Sequence, residues 1–214
     1  MNLKQTNNME KIHIKLNKDQ TLWFTSDLHF GHRNILRFCN RPWNDEKEMG
    51  PGLISNWNEK VGDNDIVFVL GDTFWFNDSR SIKKVLSQLK GKDIYIIPGN
   101  HDDFDAYHRV DDPRIHLCSD VVALWLESEY YLGWDRKIVE IWMSHYPMMT
   151  WPHRENGAIQ LFGHIHSSPD RKEGVDQDLP LHWNQMDVGC DYWGYRPVSI
   201  ETVLEEVKLK KILE

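Results

Sequence analysis

Short apolar runs, each closed by polar residues, recur along the first half of the chain. "TLWFTSD" (21–27), "DIVFVLGD" (65–72) and "DIYIIPGN" (93–100) have the length and β-branched content of buried strands. The stretches between them follow a helical period. "RNILRFC" follows the first run, a region around 45–60 precedes the second, and "SRSIKKVLSQLKG" (79–91) precedes the third. "GPG" at 50–52 is expected to break or delay the helix it falls in. Ser79 or Ser81 is expected to cap the 79–91 helix at its start, and Gly91 to end it.

The second half has a different rhythm. "RIHLCSDVVALWLES" and "RKIVEIWMSH" predict two strands joined as a hairpin across "EYYLGWD". "AIQLFGHIH" (158–166) and "QMDVGCD" (185–191) predict two more. "SIETVLEEVKLKKI" (199–212) predicts a terminal helix starting near Ser199 or Thr202, and its charged residues read as a solvated face. Strands alternating with helices, followed by antiparallel strands, predict an α/β fold with one mixed sheet or two packed sheets. Residues 1–20 read as an N-terminal extension with room for a first strand, and residues 21–214 as a single domain. Met9 offers a second start, with disorder expected before it.

Composition narrows the class. Apolar residues make up 40% and charged residues 27% of 214, as in ordinary globular chains, and the first twenty residues hold no apolar core of signal-peptide length. With no apolar run of about 18 residues, no membrane span is expected, and the simplest location is cytoplasmic. Cys39, Cys118 and Cys190 stand far apart, which argues for buried reduced thiols over a disulfide framework or thiolate zinc site. A formal charge of −8 argues against nonspecific nucleic-acid binding, and against long duplex DNA as a substrate. Oligomeric state is not legible.

The candidate chemistry lies where the apolar runs end. Asp27-Leu28-His29, Gly71-Asp72, Gly99-Asn100-His101-Asp102, His145 and Gly163-His164-Ile165-His166 each follow such a run. In α/β sheets the C-terminal ends of strands are where sites are built. Asp, Asn and His are ligands for borderline or hard divalent cations. Strand alternation would place Asp27 and His29 on one side, and likewise His164 and His166. Glycines before Asp72, Asn100 and His164 would let the backbone approach a metal or phosphate closely.

The ordered series Asp-x-His, Gly-Asp, Gly-Asn-His-Asp, His and Gly-His-x-His, over residues 27–166, resembles the calcineurin-like metallophosphoesterases. "DLHFGHRNI" (27–35) and "DVGCDYWGYRPVS" (187–199) resemble a subgroup of small bacterial and phage phosphoesterases. The resemblance implies a four-layer α/β/β/α sandwich of two mixed sheets carrying two divalent metal ions. One metal would be held by Asp27, His29, Asp72 and His166. The other would be held by Asp72, Asn100, His145 and His164, with Asp72 bridging the pair. Manganese is the first expectation, and iron, zinc or nickel also suit mixed N/O ligands.

The activity so implied is metal-dependent phosphoester hydrolysis by a bridging hydroxide. His101 would be the general acid for the leaving oxygen or a charge on the transition state. Asp102 would orient His101 or cap the following helix. His32, Arg33 and Asn34 are expected at the substrate, Arg33 through its planar fork. His153 and Arg154, in the loop after His145, are further candidates. Arg37 and Arg41 are read as surface residues.

In the protein Ser/Thr phosphatase branch the Gly-Asp block continues with an Asp and a phosphate-binding Arg. Here it runs "GDTFWFND", with Trp75 and Phe76 in those places. That favours a small phosphorylated metabolite or a nucleic-acid ester, and a phosphodiester over a monoester, with Trp75 divided between base stacking and core. The alternative is a non-catalytic metal-binding scaffold of the same fold. In the retromer subunit that exemplifies it, the histidine of the Gly-Asn-His block is replaced, whereas His101 is present here.

Overall fold

The computed structural model describes residues 9–130, 137–167 and 180–213. The expected disorder of residues 1–8 and the turn of the expected hairpin lie outside the described residues. Among the described residues ten strands form two five-stranded sheets. The first sheet runs β1 (Met9–Leu16), β6 (Val121–Ser128), β7 (Ile138–Ser144), β8 (Ile159–Phe162), β9 (Gln185–Asp187). The second runs β10 (Val198–Ser199), β2 (Leu22–Thr25), β3 (Ile66–Leu70), β4 (Asp93–Ile97), β5 (Ile115–Leu117). Both are mixed: only β6–β7 in the first and β10–β2 in the second pair antiparallel. The expected antiparallel pairing forms between β6 and β7, but the run 114–128 expected as its first strand divides: Ile115–Leu117 is β5 of the second sheet, and only Val121–Ser128 lies beside β7. The strand in the N-terminal segment is β1, parallel to β6.

Side-chain alternation explains why a continuous apolar run suits β3. All five of its residues are buried, yet they serve two cores. Ile66, Phe68 and Leu70 face the other sheet, together with Leu22, Phe24, Leu124 and Ile141. Val67 and Val69 face outward with Ile94 and Ile96, under the helices α1 (Ile35–Phe38), α2 (Glu46–Lys60), α3 (Ser79–Leu86) and α4 (Phe104–His108). Each successive Cβ points to the opposite face, so a strand covered on both sides can be apolar throughout. The terminal helix α5 (Ile200–Leu213) adds Ile200, Val203, Leu204 and Val207 to the inter-sheet core. The outer face of the first sheet is covered at Ala123 and Trp142 by Trp151 and Ala158, around a 3-10 turn at Arg154–Asn156.

Three local expectations are corrected. The helix over 45–60 is not broken by its proline: α2 runs 15 residues with Pro51 inside. Met49, Leu53 and Trp57 bury one stripe of it, and the Asp45 carboxylate accepts from the amides of Lys47 and Glu48. That packing and cap outweigh the single intrahelical bond Pro51 cannot donate. The start of α3 is capped by Asp78, which accepts from the Ser81 amide at 2.8 Å, and not by a serine. Arg41 is not a surface residue; its guanidinium is buried, for reasons given below. All three cysteines are buried and none forms a disulfide.

Candidate metal centre

The strands β2, β3, β4, β7 and β8 all point their C-terminal ends to one edge of the sandwich, and the candidate residues follow each of them directly. Asp27, His29, Asp72 and His145 are no more than 2% exposed. Their convergence does not come from strand alternation. Asp27 (φ 58°), His29 (φ 52°), Asp72 (φ 52°), His164 (φ 72°) and His166 (φ 48°) all lie in the left-handed region, past the last strand residue. Such conformations cost about 1–3 kcal/mol each for non-glycine residues, and persist where the surroundings over-determine them. Here the loops brace one another. The amide of Asp27 donates to the carbonyl of Gly71, that of His29 to Asp72, and that of Gly163 to His145. The His164 amide donates to the Asp27 carboxylate at 2.9 Å.

Two of the glycines are needed for close approach. A Cβ at Gly99 would collide with the carboxylate and amide of Asp72, and one at Gly163 with Ser26 and the Asp27 carboxylate. Only a residue without a side chain lets these turns pass so near the acids.

The ligand atoms fall into overlapping groups. Those of Asp27, His29 and His166 lie within 4.8 Å of one another, as do those of Asp27, Asp72 and His145. Asp72 stands between the two histidine sets, with Oδ2 3.6 Å from His29 Nε2 and 3.5 Å from His145 Nε2. Asn100 Oδ1 is 3.0 Å from His145 Nε2. The ring of His164 packs edge-on against that of His145 at 5.1 Å.

The donor chemistry fits bound cations. His145 Nδ1 donates to the Leu70 carbonyl at 2.8 Å, which turns Nε2 toward two oxygen acceptors; burial opposes a charge on this ring, but the hydrogen bond to Asp72 and nearby carboxylates raise its pKa. His166 Nδ1 donates to Asp191 at 2.8 Å, which turns its Nε2 toward His29 Nε2 at 3.2 Å and Asp27 Oδ1 at 3.6 Å; burial opposes a charge on this ring, but the hydrogen bond to Asp191 raises its pKa to about 11. Ring nitrogens and carboxylate oxygens this close to one another need a proton or a cation between them. Ligands about 2.1 Å from one ion stand roughly 3.0–3.4 Å apart, close to these spacings. A carbonyl or carboxylate on the far ring nitrogen is the usual support of a metal-ligating histidine. Burial drives the His29 pKa down to about 2, so this ring is a neutral donor. Burial opposes a charge on Asp72, but the hydrogen bond from His145 and nearby donors hold its pKa near 2.

The other candidates divide. His101 lies at the rim with its side chain 41% exposed; its amide donates to Asp72 Oδ1, and its Nε2 is 4.0 Å from Asp72 Oδ2. Asp102 does neither thing expected of it. Its carboxylate accepts from the backbone amides of Asp72 (2.7 Å), Gly99 (3.0 Å), Thr73 (3.0 Å) and Phe74 (3.4 Å), and from the Tyr107 hydroxyl (2.8 Å). It ties the loop after β3 to the loop after β4, and the cap of α4 is Asp103. His32 and Asn34 line the cavity beside His29, whereas Arg33 points away, 3.9 Å from Glu46 with its side chain 80% exposed. His153 pairs with Glu140 and Arg154 with Glu155, on the outer face of the first sheet.

Two residues brace the site without having been expected there: Arg41, read from the sequence as a surface residue, and Asp191, given no role. Arg41 donates from Nη2 to the carbonyl of Asp27 (2.6 Å), from Nη1 to that of Leu28 (2.8 Å), and from Nε and Nη2 to Asp191 (2.8 and 3.0 Å). It holds the turn that carries Asp27 and His29, and its partner Asp191 orients His166. The signal available was Asp191 itself, in the quoted "DVGCDYWGYRPVS".

A calcineurin-like phosphoesterase family model matches residues 20–210. An uncharacterized protein of Methanocaldococcus jannaschii is 28% identical over 90% of this chain and 94% of its own. The gene 66 protein of Mycobacterium phage L5 is 28% identical over 86% of this chain and 93% of its own. A crystal structure of a protein of unknown function from Aquifex aeolicus shares the fold, with a TM-score of 0.57 at 21% identity over 91% of this chain and all of that one. The chain belongs to the calcineurin-like phosphoesterase family, whose members are metal-dependent hydrolases of phosphoester bonds.

Proposed function

We propose that this calcineurin-like phosphoesterase hydrolyses a phosphodiester or small phosphorylated metabolite at a centre for two divalent cations, manganese foremost. The observation that carries the reading is the position of Asp72, between a His29–His166–Asp27 group and a His145–Asn100 group. An anionic carboxylate placed there suits a bridge between two cations. His29, His166, Asp27 and Asp72 would hold the first, and His145, Asn100, His164 and Asp72 the second. Bound there, the cations would supply an ionised water as nucleophile and neutralise charge on the phosphoryl oxygens.

The chain's own residues supply the rest. The Asp191 carboxylate and the Leu70 carbonyl keep protons on Nδ1 of His166 and His145, so both rings present Nε2. His101 is not buried and reaches past Asp72 toward the cavity, where it can hold a proton for the leaving oxygen. Among the described residues no lysine or arginine lines that cavity, so no side chain with a fixed positive charge favours the second negative charge of a monoester.

The test is hydrolysis of bis-p-nitrophenyl phosphate and p-nitrophenyl phosphate with a panel of divalent metals. Turnover with manganese, faster on the diester, is expected, with His101→Ala slowed about 10²–10⁴-fold. Failure to cleave any phosphoester with any metal would overturn the reading. Equal rates in His101→Ala would remove His101 from its role.

A further inference from the structure

The sequence "TFWF" sets three aromatic residues in a row beside the candidate ligand Asp72, and the structure treats them unequally. Phe74 is 1% exposed in the helix-side core, and Phe76 packs over Gly31. Trp75 between them is 47% exposed and lines the cavity at His29. Its backbone is pinned, because Phe30 and Phe74 form a bridge and the Trp75 amide donates to the Phe30 carbonyl at 2.9 Å. A large apolar ring is thus held out of the core from a fixed base. The indole stacks on His32 with centroids 3.6 Å apart and planes within 8°, and it lies 4.8 Å from the His101 ring.

The rest of the cavity agrees with this. It encloses about 520 Å³, ample for more than a phosphate group. Phe38, 53% exposed, and Ile35 line the same space. With no lysine or arginine among the described lining residues, it suits an uncharged organic group better than a second phosphate. Exposed aromatic rings beside a phosphoester site are the arrangement on which nucleobases stack.

We propose that Trp75, backed by His32, forms with Phe38 of the same cavity wall a subsite for the planar base of a nucleotide whose phosphoester lies at the candidate metal centre. The proposal rests on the phosphoesterase reading for the place of the phosphate, but its test does not depend on turnover.

Adenosine 5′-monophosphate and ribose 5-phosphate carry the same sugar and phosphate and differ by the base. Their binding to the manganese-loaded full chain is measured by calorimetry, and their hydrolysis by phosphate release. Their methyl diesters are compared in binding in the same way, and their hydrolysis is followed by chromatography of the nucleoside or sugar product and of the monoester formed. The nucleotide should bind about tenfold or more tighter than the sugar phosphate. Trp75→Ala should cut that advantage to within about threefold, and Trp75→Phe should keep most of it. Equal binding of the two by the wild type, or an advantage that survives in Trp75→Ala combined with Phe38→Ala, would overturn the subsite. Tighter binding of phosphotyrosine than of the nucleotide would overturn the nucleoside assignment. Discrimination in binding, with no hydrolysis of these esters or of either p-nitrophenyl ester by the enzyme loaded with any of the metals, would keep the subsite and sink the phosphoesterase reading. Hydrolysis of both without discrimination would do the reverse.

Discussion

The Arg41 guanidinium makes two hydrogen bonds, of 2.8 and 3.0 Å, to the Asp191 carboxylate, and neither side chain is more than 1% exposed. Arg41 also holds the Asp27 and Leu28 carbonyls, and Asp191 holds His166. One buried ion pair therefore braces two candidate ligands directly and His29 through its backbone.

Breaking that pair should separate stability from positioning. Arg41→Met strands a buried carboxylate and should cost about 3–5 kcal/mol in urea denaturation. Combining it with Asp191→Leu removes the stranded charge and should recover much of that loss. The double variant should still bind manganese about 10–100-fold more weakly by calorimetry, because His166 loses its partner. A folded double variant with unchanged affinity would remove the positioning role.

Gly99→Ala forces a methyl group against the Asp72 carboxylate and amide. The β3 and β4 ends must separate, at about 1–3 kcal/mol. Thermal unfolding reads the cost, and a variant as stable as the wild type would contradict the close approach.

Asp102→Asn replaces an acceptor-only carboxylate with a group carrying donors, set among four backbone amides. A loss of about 3 kcal/mol is expected. Hydrogen exchange should show lost protection at the amides of Asp72, Thr73 and Gly99, while α4, capped by Asp103, keeps its own.

Cation binding should stabilise the fold. At about a hundred times the dissociation constant the gain is about 2.7 kcal/mol, which for a chain of this size is roughly 5–10 °C in Tm. A chelator should reverse it, and His145→Ala should reduce it. No shift with manganese, iron, zinc or nickel would count against the centre.

Away from the site, Arg114 donates to Asp112 and to the carbonyls of Leu86 and Leu89 at the end of α3. The hydrogen bond from Arg114 lowers the Asp112 pKa despite partial burial. A folded pKa below the unfolded value of about 3.9 means this contribution is present above that pH and fades as pH falls through it. Asp112→Asn should flatten that part of the acid limb of the stability curve, as followed by urea denaturation from neutral pH downward.

The sequence by itself determined the strands that carry the candidate ligands and the identities at their ends, though not that the run 114–128 divides between the two sheets. Buried strands such as 66–70 are apolar throughout because both faces are covered, and that pattern is local. The polar blocks after them are visible for the same reason, as abrupt endings of apolar runs. Only the tertiary structure decided how those blocks meet. Asp27 and His29 converge through left-handed turns, not alternation, and those turns exist because neighbouring loops hold them. Arg41 looked solvated until Asp191, 150 residues away, came to lie beside it. Asp102 reads as a cap or a helper of His101 until the amides of Asp72 and Thr73 arrive from another strand. A buried charge is tolerable only with its partner in place, and partners so distant in sequence leave no trace in local pattern.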